Sequence, residues 1–356
     1  MSVGSIWDGG TNMLDRRQFV KLSGILSASL ALGVSGCGSK PAAGGSSSSD
    51  SDSADSSAVS SKQKVRVGAL KGPTSIGLAY LMDQASSGKS AGDYEFTVAA
   101  SPDAILPSII KGDLDIACVP ANAAAVLYNK TKGKVSVIDV NTLGVLSVVT
   151  ADTSIKDFTD LGGRTVYSTG KGASPEYVMR DLLNKAGIAD GVTLEFKSEA
   201  TEVVSLLAQD SSAVAVLPQP FVTAALAKNS SLTAPIDLND VWDKYNPDSK
   251  FVMGVTIAQN ELIQKHPDVV KTFMKEQATS VKEANDDPEA VASMVVKAGI
   301  LDNEKIVAKA IPGCHVVCIT GSEMSDDLSG FLSVLYDVDS SSVGGELPPE
   351  NFYYLG

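Results

Sequence analysis

Two patterns of hydrophobic positions alternate along the chain from residue 64 onward. Short runs in which apolar residues alternate with polar ones, or follow each other without a break, predict β-strands, whereas apolar residues three or four positions apart predict helices. The first series of predicted strands covers residues 65–69, 94–99, 115–119, 135–139 and 146–150. Predicted helices lie between them at residues 75–84, 103–111 and 123–129. This alternation is typical of an α/β fold with mainly parallel sheets.

A second series of strands and helices repeats the first. Its predicted strands cover residues 164–168, 193–197 and 213–217, and its predicted helices cover residues 175–186, 201–208 and 220–228. Each series ends on an apolar strand that runs into a proline, Val119-Pro120 in the first and Leu217-Pro218 in the second. The repetition predicts two similar lobes.

The remainder of the chain is predicted to be mostly helical. A predicted strand at residues 253–258 is followed by long helices at 260–285 and 288–298. A strand within residues 313–320, a helix at 324–336 and a polar tail complete the chain.

The first 37 residues have the features of an export signal. Arg16 and Arg17 precede an apolar run at residues 22–34, which is too short to span a bilayer and has the length of a signal-peptide core. The run ends in Val34-Ser-Gly-Cys37, which resembles a bacterial lipobox and predicts that Cys37 is lipidated. An ordinary buried thiol is the alternative for Cys37. The arginine pair fits either a twin-arginine signal or the basic start of a Sec signal.

Residues 38–63 are predicted to be a disordered linker. The segment 46–61 within it is almost entirely Ser, Asp and Ala, a composition that cannot bury enough apolar surface to offset its ordering entropy. A flexible coil of about 25 residues reaches roughly 25–30 Å. No later segment of the sequence has the length and apolar composition of a membrane span. Together these features predict a folded head, held outside the cell on one lipid anchor.

Composition narrows the possible functions of the head. The chain has 356 residues, of which 44% are hydrophobic, and a formal net charge of −13 at pH 7. This acidic balance argues against a nucleic-acid partner, which needs basic patches, and is also the ordinary surface of a soluble protein. The only histidines are His266 and His315, and no Cys-x-x-Cys pair is present, so we expect neither a metal site nor a cofactor. Cys118, Cys314 and Cys318 are interpreted as small buried residues.

Two glycine-containing loops are the main candidates for ligand binding. Ligands of open α/β sheets bind at the carboxyl ends of the strands, where the loops at residues 71–75 and 168–174 are predicted to lie. Neither loop has the Walker spacing or the G-x-G-x-x-G pattern. Each precedes a helix, whose free N–H groups favour a negative or acceptor-rich ligand group. The alternative is that Thr74, Ser75 and Ser174 only cap helices and that the glycines only form turns.

Five single residues are further candidates, each with an alternative role. Asn122 and Glu199 either contact the ligand or cap the helices that they precede. Gln219 lies between two prolines after an apolar strand, and we interpret it as a ligand contact. Tyr167 either faces the cleft or packs within its lobe, and Lys171 either binds a charged group or remains solvated.

No arginine occupies a predicted cleft loop, because the arginines of the head lie in strands or within a helix. A bidentate guanidinium fork for a carboxylate or sulfonate is therefore not expected. An anion would be held by backbone N–H groups, hydroxyls and Lys171. A neutral polar or heterocyclic ligand, stacked on Tyr80 or Tyr167, fits equally well.

Several segments resemble one family of transport proteins. Ile109-Ile-Lys-Gly-Asp-Leu-Asp-Ile-Ala117 resembles its helix followed by a Gly-Asp-x-Asp-Ile-Ala strand. Residues 155–166 resemble the entry to its second lobe, 206–220 the end of that lobe's central strand, and 266–273 the helix after the lobes. The chain thus resembles substrate-binding lipoproteins of ABC transporters of the nitrate/sulfonate/taurine type, which are related to binders of thiamine-pyrimidine precursors.

The resemblance implies a type II periplasmic-binding-protein fold, with two α/β lobes joined by hinge strands that close on a small ligand. The first lobe would comprise residues 64–147 and the C-terminal helices of 259–356, and the second lobe residues 148–258. By position, the family's ligand contacts map onto Gly72, Pro73, Thr74, Ser75, Asn122, Tyr167, Ser168, Thr169, Lys171, Gly172, Ala173, Ser174, Glu199 and Gln219.

The same resemblance implies partners and a location. The expected protein is not an enzyme: it is an extracytoplasmic, lipid-anchored and monomeric receptor that captures a small polar or anionic molecule. It would deliver this molecule to an ABC permease and its ATPase. A ligand sensor for a membrane signalling partner is one alternative, and a pyrimidine-precursor synthase-like enzyme on the same fold is another.

Overall fold

The computed structural model describes residues 63–356, and two β-sheets organise this part of the chain. The predicted export signal, Cys37 and nearly all of the predicted linker lie outside the described residues. The strands are β1 (Lys64–Leu70), β2 (Asp93–Ala99), β3 (Ile116–Pro120), β4 (Val135–Leu143), β5 (Leu146–Thr150), β6 (Thr165–Ser168), β7 (Thr193–Phe196), β8 (Val214–Pro218), β9 (Thr233–Asp237), β10 (Val252–Gln259) and β11 (Val316–Ile319).

Helices cover both faces of these sheets. They are α1 (Ala79–Ser86), α2 (Pro102–Lys111), α3 (Ala121–Thr131), α4 (Ser174–Lys185), α5 (Ala200–Gln209), α6 (Phe221–Lys228), α7 (Leu238–Tyr245), α8 (Asn260–Lys265), α9 (Pro267–Asp286), α10 (Pro288–Lys297), α11 (Glu304–Ala310) and α12 (Gly321–Val338). Short 3₁₀ turns form at Pro73–Leu78, Phe158–Leu161, Ala189–Gly191, Ile311–Cys314, Ser340–Val343 and Glu350–Phe352.

The first sheet has six strands in the order β11-β4-β10-β3-β1-β2, and the second has five in the order β7-β6-β8-β5-β9. Parallel pairs are confined to β1 with β2 and β3, and to β6 with β7 and β8. The remaining pairs are antiparallel, so the expectation of mainly parallel sheets is wrong. The reason is that β5, β10 and β11 enter their sheets without the helical crossover from a neighbouring strand that a parallel pair requires.

The two sheets form two α/β lobes, and the predicted fold class is confirmed. Strand β4 belongs to the first sheet and β5 to the second, and only Gly144 and Val145 separate them. The chain crosses back between α7, which packs on the second sheet, and β10, which lies within the first. The chain therefore joins the lobes at two places, between β4 and β5 and between α7 and β10.

Each lobe has a buried cluster of its own, and a third buried cluster contains residues of both lobes together with α12. In the first lobe, Val65 and Val67 of β1 pack with Val270 and Phe273 of α9 and with residues of α1, α10 and α11. In the second lobe, Val203 and other residues of α5 and α6 cover one face of the sheet, while α4 and α7 cover the other. Fully burying one such side chain contributes about 1.5–3 kcal/mol, so the alternating apolar pattern accounts for the packing.

Three differences from the expected elements have local causes. The predicted helix at 75–84 begins as the 3₁₀ turn Pro73–Leu78. The predicted helix at 260–285 breaks at His266, since the residue before Pro267 is disfavoured in the helical conformation. Cys314 ends a 3₁₀ turn, and only Cys318 lies on β11, so the two cysteines do not share a strand. Strand β9 and helices α7 and α11 were not expected.

Helix α12 spans both lobes. It packs against β4 and α3 of the first lobe and against α4 of the second. Its Phe331 lies 5.3 Å from Trp242 and 6.0 Å from Phe251, measured between ring centroids. After α12 the chain returns to the first lobe, where Tyr354 N–H donates to the Val137 carbonyl at 2.9 Å. Within residues 63–356, no helix combines the length and apolar character needed to cross a membrane.

Candidate functional site

The first-lobe loop, Gly72–Ser75, connects β1 to a 3₁₀ turn. Gly72 has φ +121°, a conformation that favours glycine. Ser75 is fully buried, and its Oγ accepts a hydrogen bond from Leu70 N–H at 2.8 Å. The hydroxyl of Ser75 therefore holds the turn together, while Pro73 and Thr74 remain partly exposed at its tip.

Close contact with β10 fixes the position of this loop. A Cβ at Gly254 would lie 2.6 Å from Thr74 Cγ2 and 2.5 Å from Asn141 Oδ1. Real Cβ atoms do not approach other atoms this closely, so glycine at 254 lets the loop rest directly on the sheet.

The second-lobe loop, Ser168–Ser174, contains two glycines in the left-handed region, Gly170 and Gly172. The N–H of Gly172 donates to Oε2 of Glu176 at 2.7 Å, and Arg180 Nε donates to Oε1 at 2.9 Å. Burial alone would raise the pKa of Glu176, but the bonds from Gly172 and Arg180 hold it below its usual value. One backbone N–H group of the second-lobe loop is therefore already bonded to a carboxylate of the protein and is not free to bind an anionic ligand.

Glu176 was not among the residues predicted from the sequence. The available sign was an acidic residue in the first turn of α4, where the helix dipole favours a negative charge.

The two lobes meet at Asn122 and Ser174. Ser174 Oγ donates to Asn122 Oδ1 at 3.0 Å, across the gap between the start of α4 and the start of α3. Asn122 Nδ2 also donates to the Ser342 carbonyl at 3.4 Å. Neither side chain forms a capping bond with its own helix. Both residues therefore connect the lobes, a role that sequence analysis did not anticipate.

Gln219 forms a second contact between the lobes. Its Oε1 accepts a hydrogen bond from Thr223 Oγ1 at 2.9 Å, and its N–H donates to the Val145 carbonyl at 2.9 Å. Its Nε2 faces the first-lobe turn Ile311–Cys314, where a Cβ at Gly313 would approach Nε2 to 2.8 Å. The Gln219–Pro220 peptide bond is cis.

The other candidate residues surround these contacts. Tyr167 is half-buried and packs on the α5 side of its sheet, with Lys197 Nζ 5.1 Å from its ring centroid. Ser168 is buried and donates to the Thr169 carbonyl at 3.3 Å. Lys171 and Glu199 are exposed, and Glu199 makes no side-chain capping bond to α5.

The arginines of the described part of the chain are all paired with carboxylates. Arg66 Nη2 lies 2.6 Å from Asp115, and Arg164 Nη1 lies 3.0 Å from Asp152. Arg180 pairs with Glu176, as described above. Within the two loops themselves the cationic side chains are Lys71 and Lys171, which are both exposed.

A cluster at the β4–β5 crossing was missed by sequence analysis. The carbonyl of Gly144 accepts from His315 Nδ1 at 2.6 Å and from Asn239 Nδ2 at 2.9 Å. Because a carbonyl can only accept, Nδ1 of His315 carries the proton. Asn239 belongs to the second lobe and His315 precedes β11 of the first, so a residue of each lobe hydrogen-bonds to the crossing. A Cβ at Gly144 would collide with Phe251 and Asn239.

The three cysteines of the described residues are buried or partly buried. Cys118, Cys314 and Cys318 are free thiols. Burial raises the pKa of the Cys118 and Cys314 thiols to about 12. Over residues 63–356, no group of three or more His, Cys, Asp or Glu side chains is arranged to hold a metal ion.

Two hinged α/β lobes with facing loops define the class of two-lobed binding proteins. Residues 93–291, more than half of the chain, match the family described as NMT1/THI5 like, and the chain belongs to that family. The predicted resemblance is confirmed. A Brucella abortus (strain 2308) relative, whose name describes a binding protein without stating a ligand, is 24% identical over 248 residues. The match covers 68% of this chain and 74% of that relative.

Solved structures share the fold. An ABC transporter protein from Parabacteroides distasonis superposes with a TM-score of 0.70 at 24% identity, covering 82% of this chain and 98% of that one. The periplasmic aliphatic sulphonate binding protein of Escherichia coli gives a TM-score of 0.65 at 13% identity, covering 81% and 90%. The periplasmic nitrate-binding protein of Synechocystis PCC 6803 gives 0.53 at 10% identity, covering 70% of each chain.

Proposed function

We propose that this protein is the solute-binding component of an ABC import system and captures a small molecule between its two lobes. The observation that carries the proposal is the meeting of the lobes at their loops, through Ser174 with Asn122 and through Gln219 with the turn that contains Gly313. Two lobes joined by strand crossings can open and close around a ligand at this position. Family membership and the shared fold support the same function.

The ligand that this site suits best is a small polar molecule. Arg66 and Arg164 pair with carboxylates away from the two loops, and Arg180 is paired with Glu176 beneath the second-lobe loop, so each arginine of the described residues already has a carboxylate partner. A strongly anionic ligand would have to be held by backbone N–H groups, hydroxyls and the exposed Lys71 and Lys171. Hydrogen bonds from Thr74, Ser168 and Gln219 suit a neutral or weakly charged ligand better.

We further propose that the head is a monomer outside the cell, tethered by residues 38–63 to a lipid on Cys37 and exported by the Sec or the twin-arginine route. Its protein partners would be the permease and ATPase of the importer. We propose no catalytic role for the two histidines. His315 is engaged at the β4–β5 crossing, and His266 lies at the break between α8 and α9.

Native mass spectrometry of the purified full chain tests the proposed site. We expect a retained small molecule in the wild type and its loss when Thr74, Ser168 and Gln219 are together changed to Ala. These changes remove one polar group from each loop and the Gln219 side chain that lies between the lobes. The midpoint of denaturant-induced unfolding checks that the variant still folds.

Thr193→Ala, an exposed change at the start of β7, is the control and should keep the ligand. Equal retention by the triple variant would place the ligand elsewhere. A wild-type chain that binds no solute from a concentrated extract of growth medium would contradict the receptor function itself.

A further inference from the structure

A row of polar side chains crosses the first sheet inside its core. Asp139 of β4 lies opposite Thr256 of β10, which lies opposite Cys118 of β3. All three are fully buried, and Gln277 of α9 covers them with 1% of its surface exposed. Thr256 Oγ1 donates to Asp139 Oδ1 at 2.8 Å, and Gln277 Nε2 donates to the same oxygen at 3.1 Å.

Two oxygens in this cluster have no hydrogen-bond donor among the described residues. They are Oδ2 of Asp139 and Oε1 of Gln277. Leaving a buried acceptor unsatisfied costs about 1–3 kcal/mol, and leaving a charged carboxylate oxygen unsatisfied costs more. Because the two side chains are hydrogen-bonded to each other, one cause can explain both unsatisfied oxygens.

A single proton satisfies both oxygens. Gln277 Nε2 donates to Asp139 Oδ1 and also to Thr256 Oγ1 at 2.9 Å, which brings the amide next to the carboxyl group. A proton on Asp139 Oδ2 can then donate to Gln277 Oε1, which closes a ring of two hydrogen bonds between an acid and an amide. We propose that Asp139 is held as the neutral carboxylic acid and that its proton bridges to Gln277, making a proton-dependent brace between β4 and α9.

The surroundings of Asp139 favour this neutral form. Burial raises the pKa of Asp139 to about 7, although the bonds from Thr256 and Gln277 act in the opposite direction. The titratable groups that face it are the thiols of Cys118 on β3 and Cys318 on β11, and burial keeps the pKa of both thiols high, so both are uncharged. Thr256 on β10 and Gln277 on α9 are neutral. No cation among the described residues pairs with Asp139.

The brace lies next to the first-lobe loop. Asn141, two residues along β4, donates from Nδ2 to Thr256 Oγ1 at 3.1 Å and accepts from Thr142 Oγ1 at 2.9 Å. Its Oδ1 borders Gly254, on which Thr74 rests. Loss of the proton would leave a negative charge on Asp139, which is connected through the hydrogen bonds of Thr256 to Asn141 beside Gly254. The brace thus makes the folding stability of the first lobe depend on pH.

The direction of the pH effect follows from the raised pKa. An acid whose pKa is higher in the folded chain than in the unfolded chain stabilises the fold at low pH, and this stabilisation disappears as the pH rises through the folded value. The contribution of Asp139 should therefore decline between about pH 4 and about pH 7, where the folding equilibrium constant falls about tenfold per pH unit from this group alone.

Carbon-13 NMR of the full chain, labelled at aspartate side chains, tests the proposal directly. We expect one carboxyl signal to have the shift of a protonated acid at pH 5.5 and to be missing in Asp139→Asn. The asparagine amide can donate to Gln277 Oε1 and so imitates the protonated acid. The ratio of the folding constants of Asp139→Asn and wild type should rise about tenfold per pH unit through the same window.

Asp302→Asn, at an exposed position, is the control, and its ratio to wild type should stay nearly constant with pH. Titration of the Asp139 carboxyl signal near pH 4 would overturn the proposal. So would an Asp139→Asn variant that is destabilised by the same factor at every pH from 4.5 to 8.

Discussion

At the scale of single residues, glycines decide how closely the parts of the site approach one another. Gly254 lets Thr74 rest on β10, and Gly144 lets the β4–β5 crossing pass between Phe251 and Asn239. Neither glycine has a positive φ, so tertiary contact and not backbone conformation requires the missing side chain.

Gly254→Ala should displace the first-lobe loop. The new methyl group would overlap Thr74 and Asn141, and overpacking of this kind costs about 1–3 kcal/mol in the free energy of unfolding. Chemical denaturation of the full chain measures the loss. Gly162→Ala is the matched control, since its Cβ would come no nearer than 3.4 Å to Thr159 O, and it should leave stability nearly unchanged. Equal stability of the two variants would contradict the described packing of the loop.

At the scale of elements, the first turns of α3 and α4 are connected across the lobes. The single hydrogen bond between Ser174 and Asn122 is a direct polar link from the start of one helix to the start of the other. The two side chains make this bond and no capping bond within their own helices. They therefore stabilise the contact between the lobes and not the ends of α3 and α4.

A double-mutant cycle with Asn122→Ala and Ser174→Ala should reveal this link. We expect a coupling of about 0.5–1.5 kcal/mol in the free energy of unfolding, the usual contribution of one hydrogen bond. Ser205→Ala, whose hydroxyl bonds within its own helix, replaces Ser174→Ala in the control cycle and should be additive with Asn122→Ala. Additivity of Asn122→Ala and Ser174→Ala would mean that the lobes do not hold each other at this point.

Elements were predictable where burial follows a regular pattern. The alternation of Val65 and Val67 placed β1, and unbroken apolar runs placed β3 and β8. Strand β9 escaped because three of its five residues are exposed and Pro235 interrupts it, as is usual for an edge strand. The apolar residues of α7 do recur at helical spacing, but that helix is short.

The candidate site was predictable only as a set of loops. The rule that ligands bind at the carboxyl ends of strands selected the loops at 71–75 and 168–174 without any knowledge of distance. Which side chains meet across the lobes depends on how the lobes are oriented, and a single sequence carries no pattern for that. His315 was missed for the same reason, whereas Glu176 was missed because its bond to Gly172 depends on the conformation of its own loop.

At the scale of the whole molecule, three segments pass between the lobes: the β4–β5 crossing, the α7–β10 crossing and α12. Residues of both lobes hydrogen-bond to the β4–β5 crossing, and α12 packs against both lobes. Opening of the proposed cleft would therefore have to bend these three segments together.

The proposed anchor also acts on the whole molecule. In a bacterial host supplied with labelled fatty acid, the full chain should incorporate the label and fractionate with membranes. Cys37→Ser should lose the label and leave the membrane fraction, because no other thiol follows a signal core. Cys318→Ala is the control and should keep the label. Label retained by Cys37→Ser would contradict lipidation at this position.

The position of α12 has a consequence for the order of events during synthesis. Trp242 and Phe251 complete their aromatic cluster with Phe331, which is translated roughly eighty to ninety residues later. A growing chain cannot finish the second lobe as soon as its strands have left the ribosome, since part of that core arrives near the end. Such distant contacts slow folding and keep apolar surface exposed for longer. The core around Trp242 should therefore be completed only once α12 has been made.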